Sequence, residues 1–113
     1  MANIFKLKTK PSLTTSLAAY YTVPADTTAV VLGISLSNIT SGSVTADIKI
    51  ISDTVDVETN TDTYLGKGLP VPAGGTLEIM HGNKLVLQTT DVIQAKASAT
   101  SSVDLLISIM EIT

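Results

Sequence analysis

Ala29-Val30-Val31-Leu32-Gly33-Ile34-Ser35-Leu36-Ser37-Asn38-Ile39-Thr40 runs through Ser41-Gly42-Ser43 into Val44-Thr45-Ala46-Asp47-Ile48-Lys49-Ile50. In the first run the even positions Val30, Leu32, Ile34 and Leu36 are apolar, while Gly33, Ser35 and Ser37 fall among the odd ones. That is the period of a strand buried on one face. After the Ser-Gly-Ser turn the alternation resumes, with Val44, Ala46, Ile48 and Ile50 inward and Thr45, Asp47 and Lys49 outward. Two alternating runs joined by a short glycine-containing loop read as a hairpin.

The same period extends in both directions. Leu77 and Ile79 alternate with Glu78, Met80-His81-Gly82-Asn83-Lys84 turns the chain, and Leu85 and Leu87 alternate with Val86 and Gln88. Gly82-Asn83 supplies the positive-φ positions of a tight turn. Ile93, Ala95, Ala97 and Ala99 then oppose Gln94, Lys96 and Ser98. Upstream, Leu17 to Val23 is a strand that ends at Pro24. Asn3 to Thr9 sets Phe5 and Leu7 against Lys6 and Lys8, and Pro11 closes it because proline cannot donate to a ladder. This segment is an edge strand or an extended arm over residues 1–12. Ser52 to Thr63 is polar and reads as the longest loop or an irregular strand. Val23-Pro24-Ala25-Asp26 and Val71-Pro72-Ala73-Gly74 each precede an alternating run, which the preset φ of proline in a turn explains locally.

Turns about ten residues apart, with β-branched residues between them, predict an all-β fold. It is a single antiparallel β-sandwich over residues 1–113, jelly-roll or immunoglobulin-like, with about eight short strands. With 44% hydrophobic and 15% charged residues the chain has the apolar content for a core and is a poor fit to disorder.

The final strand breaks the simple pattern. Val103, Leu105, Ile107 and Ile109 fill one face, but Leu106, Met110 and Ile112 occupy the other. A strand apolar on both faces is covered on both. One sandwich core covers one face, so the second is buried by a neighbouring subunit or by the N-terminal segment folding over it. Oligomerisation is therefore expected, through Phe5, Lys6, Leu7, Lys8, Lys10, Leu106, Met110 and Ile112.

Composition removes most chemistry. There is no cysteine, so no thiolate nucleophile, thiolate metal site or disulfide. His81 is the only imidazole, set in a turn and accompanied by no Gly-x-Ser-x-Gly elbow, so a solvated role outweighs general-base catalysis. Asp53, Asp56, Glu58 and Asp62, with Asn60, are the one constellation calcium would find, but they lack the glycine and terminal glutamate of an EF-hand and read as a solvated acidic loop. Glu78 and Glu111 form a carboxylate pair only on neighbouring strands, and each reads as an outward strand residue. Gly66-Lys67-Gly68 and Gly74-Gly75 are turns outside any strand-to-helix phosphate motif. All seven cations are lysine against ten acids, a net charge of −3, which disfavours nucleic acid, and Lys6, Lys8 and Lys10 have no aromatic platform beyond Phe5. No run is long and apolar enough for a membrane span, and no signal peptide is visible. An enzyme, a cofactor and a metal are all unexpected.

Tyr21 to Gly33, with the opening Met1-Ala2-Asn3-Ile4-Phe5-Lys6, resembles small virion structural proteins of tailed bacteriophages, including those of marine cyanobacteria. So do Leu69 to Leu77, Ser101-Ser102-Val103-Asp104 through Leu106, and Ile109 to Thr113. The likeness covers nearly the whole chain and lies in strand and turn wording. It differs from the family at Pro24-Ala25-Asp26, where a Pro-Ala-Gly turn is usual, and in the loop from Asp53 to Thr63. The resemblance implies a compact sandwich without catalytic residues, assembled in the host cytoplasm onto the outside of a head, neck or tail. It implies as partners further copies of itself, a trimer favoured, and other virion proteins such as the major capsid protein. Capsid decoration leads; a neck- or tail-appended role follows. The competing class is a carbohydrate-binding module using Tyr20, Tyr21 or Tyr64, with calcium at the acidic loop.

Overall fold

A computed structural model describes residues 3–52, 60–80 and 82–113. Nine strands follow one another: β1 (Asn3–Lys10), β2 (Ala18–Thr22), β3 (Thr28–Asn38), β4 (Val44–Ile51), β5 (Thr63–Val71), β6 (Thr76–Glu78), β7 (Leu85–Leu87), β8 (Val92–Ala97) and β9 (Val103–Ile112). All pairings are antiparallel. One sheet has the order β1-β9-β3-β6, with β7 also on β3; the other has the order β2-β8-β4-β5. Two such Greek-key sheets packed face to face make a jelly roll. The expected all-β sandwich is therefore the fold, and the jelly-roll arrangement is the one adopted.

The expected hairpins are not. Ser41-Gly42-Ser43 does not pair β3 with β4 but carries the chain from one sheet to the other. Asn38 makes that corner. Its side-chain amide donates to the carbonyls of Gly42 (2.8 Å) and Val71 (3.0 Å), and its Oδ1 accepts from the Thr40 N–H (2.9 Å) and hydroxyl (2.7 Å). The buried polar group is fully satisfied, so the corner costs little. Nor do Leu77 and Leu85 face each other. β6 and β7 lie end to end along β3, opposite Ser35–Ser37 and Ala29–Val31, as one strand interrupted between them. Among the described pairings, β4 with β5 is the only one between consecutive strands.

The alternation in β3 changes phase partway. Ala29 and Val31 are buried, then Ile34, Leu36 and Asn38, because Leu32 is the extra residue of a β-bulge between Val31 opposite Ile109 and Gly33 opposite Ser108. The even positions expected to face inward do so after the bulge and not before it. A second strand carries glycines read above as turns. Gly66-Lys67-Gly68 lies inside β5, where Gly68 at φ 67° sends its N–H to Asp47 Oδ1 at 2.7 Å.

The core between the sheets takes Ile34, Leu36, Ile48, Ile93, Leu105, Ile107 and Ile109, all essentially sealed from solvent. Leu13, in the connection from β1 to β2, is equally buried, its N–H donating to the Val103 carbonyl at 2.8 Å. Of the two readings of the N-terminal segment, the structure adopts the edge strand. β1 pairs with β9 from Asn3 opposite Ile112 to Lys10 opposite Leu105, extending the sheet beside β9 rather than folding over it.

Candidate functional site

In an antiparallel pair, residues directly opposite each other project from the same face. Register therefore defines the outer surface of the five-stranded sheet. Phe5 is opposite Met110, Met110 opposite Val30, and Val30 opposite Val86. An apolar row thus crosses four strands. Leu7, Leu106 and Ile112 flank it on the same face. Phe5 is 71% exposed, Val86 60%, Leu7 59% and Leu106 37%. Charged strand residues on this face, Glu78 and Asp104, sit at the other end, beside Ser35 and Ser37.

The residues expected at an interface separate into two groups. Phe5, Leu7, Leu106, Met110 and Ile112 come together on this outer face. Lys6, Lys8 and Lys10 project from the opposite face of β1, since Lys6 is opposite Ile109 and Lys8 opposite Ile107. Val30 and Val86 belong with the first group and were assigned elsewhere by sequence. Val30 counted as core because the bulge at Leu32 is silent in the pattern, and Val86 counted as a lone outward residue until β7 was placed next to β3.

β1 is fastened at its inner side by a polar cluster. Glu111, expected outward, is 4% exposed. Its Oε1 lies 2.8 Å from Lys6 Nζ, and its Oε2 accepts the Tyr21 hydroxyl at 2.6 Å. Three strands from both sheets therefore meet on one carboxylate. The Lys6 ammonium, and then the Tyr21 hydroxyl, hold the Glu111 carboxyl below the ordinary range against the opposing effect of burial. Burial, followed by the hydrogen bond and charge of Glu111, pushes the Tyr21 hydroxyl well above its usual value. A buried carboxylate bound by a cation and a hydroxyl donor ties β1, β2 and β9 together.

The other candidates disperse. β3 separates β6 from β9, and Glu78 faces outward, its Oε1 accepting the Met80 N–H at 2.7 Å, so Glu78 and Glu111 do not pair. Tyr20 and Tyr21 are on β2 and Tyr64 on β5, opposite edges of the four-stranded sheet, so the three tyrosines form no common platform. Tyr20 packs on the core with its hydroxyl buried and without a partner among the described residues. Tyr64 lies under Lys49 and Lys67, whose Nζ atoms are 5.3 and 5.0 Å from the ring centre. Asp53, Asp56, Glu58 and His81 lie outside the described residues. Among the described residues no group of three or more His, Cys, Asp or Glu is placed to hold a metal, and no helix is long and apolar enough to cross a membrane. An open groove of about 480 Å³ runs between β5 and β7, lined by Ile50, Tyr64, Leu65, Leu85 and Gln88 among others.

No protein-family model and no curated protein sequence matches the chain. Solved structures do. A chain of the Bacillus endospore appendages, described as disulfide-linked pili, aligns at TM-score 0.50 and 12% identity, covering 98% of this chain and 88% of that one. A chain of the T13 IBDV viral particle aligns at TM-score 0.55 and 10% identity over 96% of this chain. The present chain spans 30% of that viral protein's length. At such identities the likeness is one of fold: this jelly-roll sandwich resembles structural subunits of a spore appendage and a virus particle. Having no cysteine, it has no counterpart to the disulfide linkage of the appendages.

Proposed function

We propose that this chain is a non-enzymatic structural subunit that self-associates, a trimer favoured, and decorates the exterior of a tailed-phage particle as a capsid cement protein. The observation that carries the reading is the apolar row Phe5, Met110, Val30 and Val86 on the outer face of the five-stranded sheet. An exposed apolar surface on a sheet is an association surface in a functional assembly and an aggregation hazard otherwise. Burying a side chain of this size against a neighbour contributes about 1.5–3 kcal/mol. Many copies on one particle multiply a modest contact. The phage assignment draws on the sequence resemblance, and the jelly-roll fold in structural subunits of other assemblies agrees with a scaffolding role.

Light scattering on the size-fractionated protein measures the first part: an oligomer is expected, with three copies the favoured number. Mass spectrometry and cryo-electron microscopy of purified particles measure the second, with density for the protein expected on the outer surface of the head. A stable monomer that is absent from particles overturns the proposal.

A further inference from the structure

β1 is an appendage to a body that begins at Leu13. No residue of β1 belongs to the sealed core, and Asn3 to Leu7 are exposed throughout. Among the described residues β1 has one strand neighbour, β9. Its ion pair goes to the same strand, with Lys6 Nζ 2.8 Å from Glu111, and the charge of Lys8 acts on that carboxylate as well. Leu13, by contrast, is fixed. Its side chain is fully buried, its N–H donates to the Val103 carbonyl at 2.8 Å, and the following carbonyl, of Thr14, accepts the Ala97 N–H at 2.9 Å.

Pro11 and Ser12 join the appendage to the body. Proline fixes its own φ and holds the residue before it, Lys10, extended. The bend is therefore made at Ser12, whose φ of 56° lies in the left-handed region that is unfavourable for a residue with a side chain. Its N–H donates to Asp104 Oδ1 at 2.8 Å. Rotation of Ser12 to an extended φ removes the strain and carries β1 off its own β9. The core is untouched by such a motion, because β1 contributes nothing to it.

The strand that the vacated edge of β9 accepts is narrowly specified. Glu111 stays buried with its Oε2 on the Tyr21 hydroxyl, but it has lost its cation. A buried carboxylate stripped of its partner is strongly destabilising. The replacing strand must therefore return lysines to the side facing Glu111 while setting apolar residues on the outer face. Phe5-Lys6-Leu7-Lys8 has that pattern, and no other stretch of the sequence carries lysines at alternate positions. The fitting occupant is β1 of a second copy, which re-forms the whole ladder and the Lys6–Glu111 pair between chains.

We propose that β1 is exchanged between copies, each β1 pairing with the β9 of a neighbour in the register it otherwise has on its own. This rests on the self-association inferred above and names the segment that crosses. From Lys10 to Leu13 the chain spans at most about 11 Å. Neighbouring copies therefore meet at the end of the sheet where Lys10 and Pro11 lie beside Asp104 and Leu105. Passing β1 on in one direction closes a ring, and a ring of three meets the favoured stoichiometry.

The test exploits a chain that has no cysteine of its own. Leu7 and Ser108 are opposite each other on β1 and β9. Antiparallel partners have Cα atoms about 4.5–5.5 Å apart, a span that a disulfide bridges. The full chain carrying Leu7→Cys and Ser108→Cys is refolded, treated with oxidised glutathione and run on a denaturing gel without reductant, with sedimentation velocity on the same sample. Exchange is expected to give covalent species with the copy number seen in sedimentation, which reductant returns to single chains. In that background Ser12→Gly, which relieves the left-handed strain, is expected to cut the interchain fraction about tenfold, and Ser12→Val, whose branched side chain resists that conformation, to raise it. Circular dichroism melts check that each variant is folded. Associated protein whose disulfides lie wholly within single chains overturns the exchange and leaves the self-association standing. So does an interchain fraction that Ser12→Gly leaves unchanged. A wild type that sediments as a monomer overturns both.

Discussion

Two rows of four side chains cross the two outer faces of the sandwich, and they are opposites. On the five-stranded sheet the row is Phe5, Met110, Val30 and Val86. On the four-stranded sheet it is Ala19, Gln94, Lys49 and Tyr64, with Asp47 and Lys96 alongside at 3.6 Å. Both faces cover the same core. Only the second row carries the hydrogen-bonding and charged groups that water solvates, so the first is the face to which the proposed association assigns a neighbour. The polar face also shows how a lone aromatic is kept soluble, since Lys49 and Lys67 cover the Tyr64 ring.

The largest expected effect separates inner from outer on a single strand. Ile107→Ala opens a cavity in a sealed core position and should cost about 2–5 kcal/mol, whereas Leu106→Ala next to it, on a side chain 37% exposed, should cost about 1 kcal/mol. Urea unfolding of each, in a background that does not associate, measures the pair, and equal losses would dissolve the distinction between faces. Next comes the association itself. Phe5→Lys with Met110→Lys should weaken self-association by about 3 kcal/mol, or roughly a hundredfold, while Gln94→Lys on the other face leaves it within twofold. Light scattering across a dilution series reads this, and a matching loss from Gln94→Lys would mean the wrong face has been assigned.

The smallest effect concerns the clamp that ties β1 to both sheets. Because Glu111 is held below the ordinary carboxylate value of 4.5, its contribution to stability is fully present above that pH and is lost as pH falls through the lower folded value. Tyr21 has the opposite sign: its folded value is raised above 10.0, so its contribution is lost as pH rises past the point where the unfolded tyrosine ionises. Melting temperature against pH should therefore fall at both ends. Lys6 is 39% exposed, so solvent screening limits the loss from Glu111→Gln at neutral pH to about 1 kcal/mol. A wild-type acid limb no steeper than that of Glu111→Gln would remove the clamp from the account.

Alternation along the sequence reports which way a side chain points and says nothing about which strand lies next to it. That is why the all-β sandwich was legible in Ala29 to Ile50 while the hairpin expected there was not. The Ser41-Gly42-Ser43 turn looks the same whether the chain turns within a sheet or crosses to the other. Phase is the second blind spot. One extra residue at Leu32 moves Val30 to the surface, and a bulge has no compulsory residue type. Gly66 and Gly68 read as a turn because glycine is rare inside strands, yet Gly68 supplies the positive φ of an irregular strand. Glu111 was misplaced for another reason: a buried carboxylate depends on Lys6 and Tyr21, which are about a hundred residues away in sequence and adjacent only in the fold. By contrast Leu106, Met110 and Ile112 announced the outer face directly, because apolar residues on both sides of one strand exceed what a single core uses.

The position of β9 has a consequence for synthesis. It is the ninth strand in chain order and the middle of its sheet, pairing with β1 on one side and β3 on the other. As the chain leaves the ribosome, β1 and β3 wait without a shared neighbour until residues 103–112 emerge. The five-stranded sheet therefore closes only after translation has passed its last strand. Non-local pairings of this kind slow folding. Through that interval the apolar residues of the outer face are exposed together with the future core.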